Sequence, residues 1–370
     1  MYLAIEIGGT KLQLAAAAGG GAPLAELRRF DVVAADGAGG ILRQIEAAAP
    51  EMIARHGVRA IGIGFGGPVE NDRSSRKWSV RGLASHSGSG DPGRVASGEP
   101  GRVASGEPGR VSAGRVVKSH HIAGWERFPL GQWCREKFGL PAAIGNDCDV
   151  AALAEARFGA GQGSDPVFYV TVGTGIGGGL VIGGQIYHGY GNAAAEIGHL
   201  RYGFDATQAE QNLESLAAGW GIAAQAASKV VRSLRERNFG SRSEPPTSGA
   251  AQAATDLLAR SGNQADRLTA QVVAQAAADG NVIAREVLDQ ATTALGWAIA
   301  QMITLISPEV VVIGGGVSLI GDELFFRPLQ AAVARYVFPP LAESYRIVPA
   351  RLGEEVVLHG ALALAETAQG

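Results

Sequence analysis

Short apolar runs that end in glycine alternate along this chain with longer stretches of helical spacing. Tyr2 to Ile7 stops at Gly8-Gly9-Thr10-Lys11 and Leu12 to Ala18 resumes the apolar pattern, which predicts a β-hairpin. Ala38 to His56 carries Ile41, Leu42, Ile45, Met52 and Ile53 at helical intervals. Ala60 to Phe65 predicts a strand that ends at Gly66-Gly67-Pro68. A helix is expected at Leu130 to Phe138, a short strand at Ala142 to Ile144 ending at Gly145-Asn146-Asp147, and an alanine-rich helix at Val150 to Phe158. Val167 to Val172 is a strand that runs into Gly173-Thr174-Gly175-Ile176-Gly177-Gly178-Gly179, and Leu180 to Ile182 resumes it. Helices are then predicted at Leu213 to Arg237, Ala250 to Arg260, Thr269 to Asp279 and Asn281 to Ile306, with a polar break at Gly240 to Gly249. Val310 to Ile313 reads as a buried strand before Gly314-Gly315-Gly316, and Val356 to Glu366 as a closing helix. This alternation predicts an α/β fold, in which ligands bind at strand ends where backbone amides are free.

One stretch breaks the pattern. Gly-Arg-Val-Ala-Ser-Gly-Glu-Pro occurs in tandem from Gly93 and Gly101, with a degenerate copy from Gly109, so the repeat covers 93–116. The period is well below the roughly 20 residues of a solenoid unit. The expectation is a disordered, dispensable surface insert over about 72–115, with phosphate binding by its arginines as the rival reading.

Composition narrows the field. With 46% hydrophobic and 18% charged residues among 370, a packed core is expected. A net charge of -3 gives no basic face for nucleic acid. No apolar run approaches the roughly 18 residues of a membrane span, and no targeting segment is visible, so a soluble, cytoplasmic protein is expected. Cys134 and Cys148 fit a reducing compartment.

The candidate chemistry sits at the glycine turns. Glycines let backbone N–H groups approach phosphate oxygens, and Thr10, Thr174 and Lys11 add donors or charge. None of these turns has P-loop spacing, and the Gly314 turn lacks a dinucleotide fingerprint. Asn146-Asp147 is either a helix cap or a hydroxyl-orienting pair with a carboxylate base. Glu196, His199 and Glu214 are polar groups of the kind that pair with sugar hydroxyls, or else a solvated and packed set.

Taken together, the stretches Ile5–Lys11, Gly62–Val69, Gly145–Asp147, Thr171–Gly179, Glu196–His199 and Pro308–Gly316 resemble, in order, the ROK family of bacterial sugar kinases and regulators. The resemblance implies an α/β protein of two actin-like (ribonuclease H-like) domains with an interdomain cleft. The expected boundaries are 1–145, 146–354, and a terminal helix at 355–370 packing back on the first domain. It also implies phosphoryl transfer from ATP, accompanied by Mg²⁺, to a sugar. Gly8, Gly9, Thr10, Lys11, Gly173, Thr174 and Gly175 would hold the phosphates, and Gly314 and Gly315 would lie near the adenosine. Asp147 would be the base, with Gly67, Asn146, Glu196, His199 and Glu214 on the sugar. Glucose and its 6-hydroxyl come first, with N-acetylmannosamine, N-acetylglucosamine, mannose and fructose as alternatives. A homodimer is implied by the family alone.

The chain departs from the family pattern in two places. Glu6 stands where members usually carry Asp; it still offers a carboxylate toward Mg²⁺-bound water, one methylene further out. Many members follow the His with a cysteine cluster that binds structural zinc; Leu200 to Glu214 holds no cysteine, so structural zinc is not expected. The rival from another class is a non-catalytic sugar-sensing regulator. Regulators of this family carry a helix-turn-helix before the first strand, for which the sequence leaves no room.

Overall fold

The structure, a computed structural model, describes residues 1–70, 114–119, 122–203, 211–239 and 248–369. In chain order the first elements are β1 (Tyr2–Ile7), β2 (Lys11–Ala17), β3 (Glu26–Asp31), α1 (Gly37–His56), β4 (Ala60–Phe65), β5 (Val69–Glu70), β6 (Arg115–Val116), α2 (Leu130–Phe138), β7 (Ala142–Asn146) and α3 (Asp147–Phe158). There follow β8 (Val167–Val172), β9 (Ile176–Ile182), β10 (Gln185–Ile186), α4 (Leu213–Ala217), α5 (Gly219–Phe239), α6 (Ser248–Arg260), α7 (Ala270–Ala278) and α8 (Val282–Ile306). The last are β11 (Val310–Gly314), α9 (Arg327–Tyr336), β12 (Arg346–Pro349) and α10 (Val356–Ala368).

Two five-stranded sheets share one plan. The first has the order β3-β2-β1-β4-β7, with β1, β2 and β3 antiparallel and β1, β4 and β7 parallel. The second repeats it as β10-β9-β8-β11-β12, antiparallel on one side of β8 and parallel on the other. The central parallel strands β4 and β11 are apolar throughout because both of their faces are covered. This is the mixed α/β, actin-like architecture that the sequence led us to expect.

The helices that cover the inner faces are exchanged. α3 continues from β7 of the first sheet but packs Ala151 and Ala152 on Val167, Tyr169 and Val181 of the second. α10 continues from β12 of the second sheet but packs Leu358, Ala361, Leu362 and Ala365 on Tyr2, Ala4 and Ala60 of the first. The fit leaves no room for side chains at two points. A methyl at Gly62 would run into the Ala361 carbonyl, and one at Gly360 into the Val150 carbonyl. On the outer faces, α1 and α2 bury Ile41, Ile45, Met52, Leu130 and Cys134 on the first sheet, and helices α4 to α9 cover the second.

Glu155 locks the crossover. It is fully buried near the end of α3, and its carboxylate accepts the backbone N–H groups of Ala160 (2.7 Å), Arg351 (2.9 Å) and Leu352 (2.8 Å). The last two lie in the link from β12 to α10, so one side chain binds both exchanged helices to each other.

Several sequence expectations need correction. The helix predicted at Leu213 to Arg237 is two helices, because Ala218 is extended (ψ 163°) and Gly219 turns its N–H to the Gly173 carbonyl at 2.8 Å. Gly177 to Gly179 belong to β9 rather than to a turn. They are small because α3 lies against them, with the Cys148 carbonyl 2.6 Å and the Ala152 Cβ 2.7 Å from a methyl placed on Gly179. β7 runs on to Asn146, and α3 starts at Asp147, not at Val150. Five features had not been expected: β3, the β5–β6 pair, β10, β12 and α9. β3 is an edge strand whose charged residues mask alternation. The polar break expected at Gly240 to Gly249 falls mostly outside the described residues, as does the repeat insert. No helix among the described residues is long and apolar enough to cross a membrane.

Two predictions follow from these contacts. Glu155→Ala removes the acceptor of three N–H groups in part-buried hydrogen bonds. At about 0.5–1.5 kcal/mol net for each lost bond, the variant should lose ~3 kcal/mol, read as a lower urea midpoint. The flanks of the insert are paired, with Val69 opposite Val116 and Glu70 opposite Arg115. Replacing residues 71–114 by Asn-Gly, which suits a two-residue hairpin, should leave the thermal midpoint close to that of the full chain; a collapse in calorimetry would mean the insert packs on the fold.

Candidate active site

Three strand ends of the first sheet meet at one carboxylate. The β1–β2 turn is closed by Gly8 N–H to the Lys11 carbonyl at 2.9 Å, and Gly66 after β4 donates to the Ile7 carbonyl at 2.8 Å. Asn146 at the end of β7 caps α3. Its Oδ1 accepts from the N–H groups of Cys148 (2.9 Å) and Asp149 (3.3 Å), and its Nδ2 donates to the Gly67 carbonyl at 3.0 Å. The cap reading of Asn146 is the one seen, and its amide also fixes the Gly67 turn. A methyl on Gly66 would sit 3.5 Å from Asp147 Oδ2 and 3.6 Å from the Gly8 Cα. These are ordinary contact distances, so Gly66 lies directly between the carboxylate and the hairpin turn.

Burial pushes the Asp147 carboxyl up to about 6; the Cys148 N–H opposes this and the neighbouring Glu6 adds to it. The Cys148 thiol is pushed well up, first by burial and then by Asp147, Asp149 and Glu196, so it stays protonated. Glu6 itself is buried. Lys11 Nζ lies 3.3 Å from one of its oxygens, Gln13 donates to the other at 2.7 Å, and Arg29 donates to Gln13 at 2.8 Å. Glu6, Gln13 and Arg29 are directly opposite one another in the register of β1, β2 and β3.

The second sheet supplies the matching turn. Gly173 N–H closes on the Gly175 carbonyl at 2.9 Å, so Gly173-Thr174-Gly175 joins β8 to β9 as Gly8 to Lys11 joins β1 to β2. Glu214, near the start of α4, accepts the Ile176 N–H at 2.9 Å. One oxygen of Glu214 therefore serves this turn, whereas the sequence placed the residue on the sugar. Gly315 (φ +88°) comes so close to the end of β8 that a methyl would lie 2.5 Å from the Val172 carbonyl. Gly314 packs beside the Tyr169 hydroxyl and Ala350. The Gly173 turn, the start of α5 and the end of β11 thus converge.

Glu196 and His199 flank one turn of 3₁₀ helix anchored by Ile197, which is 3% exposed, while both polar side chains face solvent. Ala195 enters this turn at φ +66°, a left-handed conformation that costs a non-glycine residue about 1 kcal/mol or more. The loop before it is tied to α3 by His188 Nδ1, 3.2 Å from Asp149 Oδ2. Sequence reasoning missed Gln13, His188 and Asp149. Gln13 could have been found by counting outward from the hairpin turn, but the His188–Asp149 pair leaves no mark in the sequence.

No group of three or more His, Cys, Asp or Glu able to hold a metal ion occurs among the described residues. For Mg²⁺ this is no misfit, since that ion is usually held by one or two carboxylates together with phosphate oxygens and water; Glu6 and Asp147 offer the carboxylates. A thiolate zinc site does not fit: between His199 and Glu214 the chain has no sulfur donor.

Paired sheets of one topology with glycine turns at matching strand ends define a phosphate-binding protein of the actin-like class. The chain belongs to the ROK family, whose profile matches residues 94–368. It is 34% identical over 242 residues to a glucokinase of Halalkalibacterium halodurans, covering 64% of this chain and 67% of that one. It is 30% identical over 251 residues to a glucokinase of Thermotoga maritima, covering 68% and 74%. The crystal structure of a ROK family glucokinase from Streptomyces griseus, in complex with glucose and AMPPNP, superposes with a TM-score of 0.71 at 26% identity, covering 100% of this chain and 99% of that one.

The raised Asp147 pKa has a definite sign for stability. A carboxyl whose folded pKa of about 6 exceeds the usual 3.8 weakens the fold when ionised. The penalty is full above pH 6 and vanishes as pH falls towards 3.8. Asp147→Asn should therefore stabilise the ligand-free protein at pH 7.5 by up to about 3 kcal/mol, with the gain gone near pH 4; urea titrations at the two pH values check this.

Proposed function

We propose that the protein is an ATP-dependent sugar kinase that transfers the γ-phosphoryl group to a hexose, with glucose and its 6-hydroxyl first. The observation that carries this reading is the position of Asp147. It is a desolvated carboxylate at the meeting point of the Gly8 turn, the Gly67 turn and the start of α3, in a chain whose relatives include glucokinases.

The mechanism assigns each group a task. The free N–H groups and hydroxyls of Gly9, Thr10, Thr174 and Gly175, with Lys11, take the phosphate oxygens, and Gly314 and Gly315 flank the nucleoside. Asn146, already oriented by the Gly67 carbonyl and the α3 amides, presents its amide to the sugar. Glu196 and His199 project from their rigid turn to pair further hydroxyls, and Glu214 adds its second oxygen. Asp147 accepts the proton of the attacking hydroxyl as the phosphoryl group arrives. With a pKa of about 6 it is mostly ionised at pH 7 yet basic enough to take a proton. Mg²⁺ brought in with ATP would meet Glu6, through water, and would offset the phosphate charge. Gln13 and Arg29 stiffen Glu6, so its extra methylene is held rather than loose.

The first assay is ADP release from Mg-ATP over a panel of hexoses and N-acetylhexosamines. Sugar-dependent turnover is expected, largest with glucose, and kcat should fall 10²- to 10⁴-fold in Asp147→Asn. kcat/KM should drop tenfold per pH unit below about 6, as the Asp147 carboxylate takes up a proton. Sugar binding by calorimetry without turnover would leave a sensor and sink the kinase reading.

A further inference from the structure

The turn that carries Glu196 and His199 lacks the thiolates with which many family members hold this loop, so something else must fix its downstream end. Upstream, Ile197 is buried in the core and a methyl on Gly198 would meet the Ile176 carbonyl. Downstream, the Leu213 N–H donates to the Leu200 carbonyl at 2.7 Å. Tyr202, a little further on, places its ring edge-on to Trp297 of α8, with centroids 5.5 Å apart and planes at 89°. Tyr202 keeps 37% of its surface exposed, so the ring pair with Trp297 is the contact that holds it.

We propose that Tyr202 is a positioning residue for sugar: its edge-to-face clasp on Trp297 locks the Glu196–His199 turn to the helical layer. The physical case rests on where the polar groups lie. Glu196 and His199 are exposed, so the direction in which each projects follows the backbone of the turn. That backbone is held at one end by Ile197 and at the other by Leu200 and Tyr202. An edge-to-face pair is directional and buries apolar surface, so it fixes the angle at which the chain leaves the turn. Without sulfur donors, removing divalent metal should leave this loop in place.

The sugar roles of Glu196 and His199 come from the proposed function, so the test reads both the loop itself and the reaction. Tyr202→Ala, Tyr202→Phe and Trp297→Leu are compared with the wild type as full chains. Amide hydrogen exchange over residues 196–202 and calorimetric glucose affinity are measured alongside steady-state kinetics with glucose and Mg-ATP. In Tyr202→Ala and Trp297→Leu we expect exchange in that segment to quicken at least tenfold. Glucose KM and Kd should rise at least tenfold, with ATP KM and kcat within threefold. Tyr202→Phe, which keeps the ring pair, should stay within threefold of wild type throughout. Wild-type protein stripped with a zinc chelator and assayed with Mg-ATP should keep its exchange profile. If Tyr202→Ala does not fold, Trp297→Leu alone decides. Wild-type exchange in Tyr202→Ala or Trp297→Leu would overturn the clasp, as would chelation that reproduced their exchange profile. Quickened exchange with unchanged glucose affinity would overturn its role in sugar positioning. Glucose binding that weakens as expected, in a protein that never turns over, would uphold the clasp while refuting the kinase.

Discussion

Everything else in this molecule depends on the exchange of two helices between two sheets. α3 leaves the first sheet to cover the second, and α10 leaves the second to cover the first. Backbone carbonyls, not side chains, meet the glycines at the closest points: Ala361 at Gly62, Val150 at Gly360 and Cys148 at Gly179. Such approach leaves no space for a water molecule or a methylene, so the contact is tight by construction. The buried Glu155 carboxylate then ties the end of α3 to the segment that leads into α10, with a hydrogen bond for each N–H it meets. Two halves joined this way cannot separate without exposing these groups.

The crossing also creates the chemistry. β7 ends and α3 begins at Asn146-Asp147, where the chain steps from one sheet to the other. The step explains why Asp147 is desolvated: its own helix is drawn against the second sheet while its carboxylate stays beside the Gly66 and Gly8 turns of the first. A carboxylate on an ordinary helix start would face water and keep its usual pKa. Here the fold raises it, and Glu6, held in place by Lys11 and Gln13, raises it further. The Asn146 cap, a commonplace of helix starts, becomes a fixed amide because its other end is bound to Gly67.

The rest of the site is a matter of how turns are held. The Gly173 turn needs no side chain of its own, since Glu214 and the start of α5 grip it from outside. The Glu196 turn is a strained one, entered through a left-handed Ala195, and such a conformation persists only where neighbours over-determine it. Ile197 in the core, His188 on Asp149 and Tyr202 on Trp297 are those neighbours.

The strand and helix succession was legible in the sequence because each buried strand is an unbroken apolar run and most end in glycine, a signal that needs no partner to be read. The same holds for the order of the motifs at Gly8, Gly67, Asn146, Gly173, Glu196 and Gly314, which carried the family resemblance. Charged β3 and the short β5, β6, β10 and β12 stayed hidden, since a brief or edge strand is defined by what it pairs with rather than by its own pattern. Gly177 to Gly179 looked like a longer turn, because a sequence does not distinguish glycine used for curvature from glycine used for close approach. The break at Ala218 was equally silent, as it answers to the Gly173 carbonyl far upstream. The sequence by itself determined which residues are candidates for the chemistry, because residue type and spacing are local. Only the tertiary structure decided how that chemistry is tuned: the pKa of Asp147, the partners of Glu6 and the clasp on Tyr202 arise from groups distant in the chain that the crossing of α3 and α10 and the packing against α8 bring together.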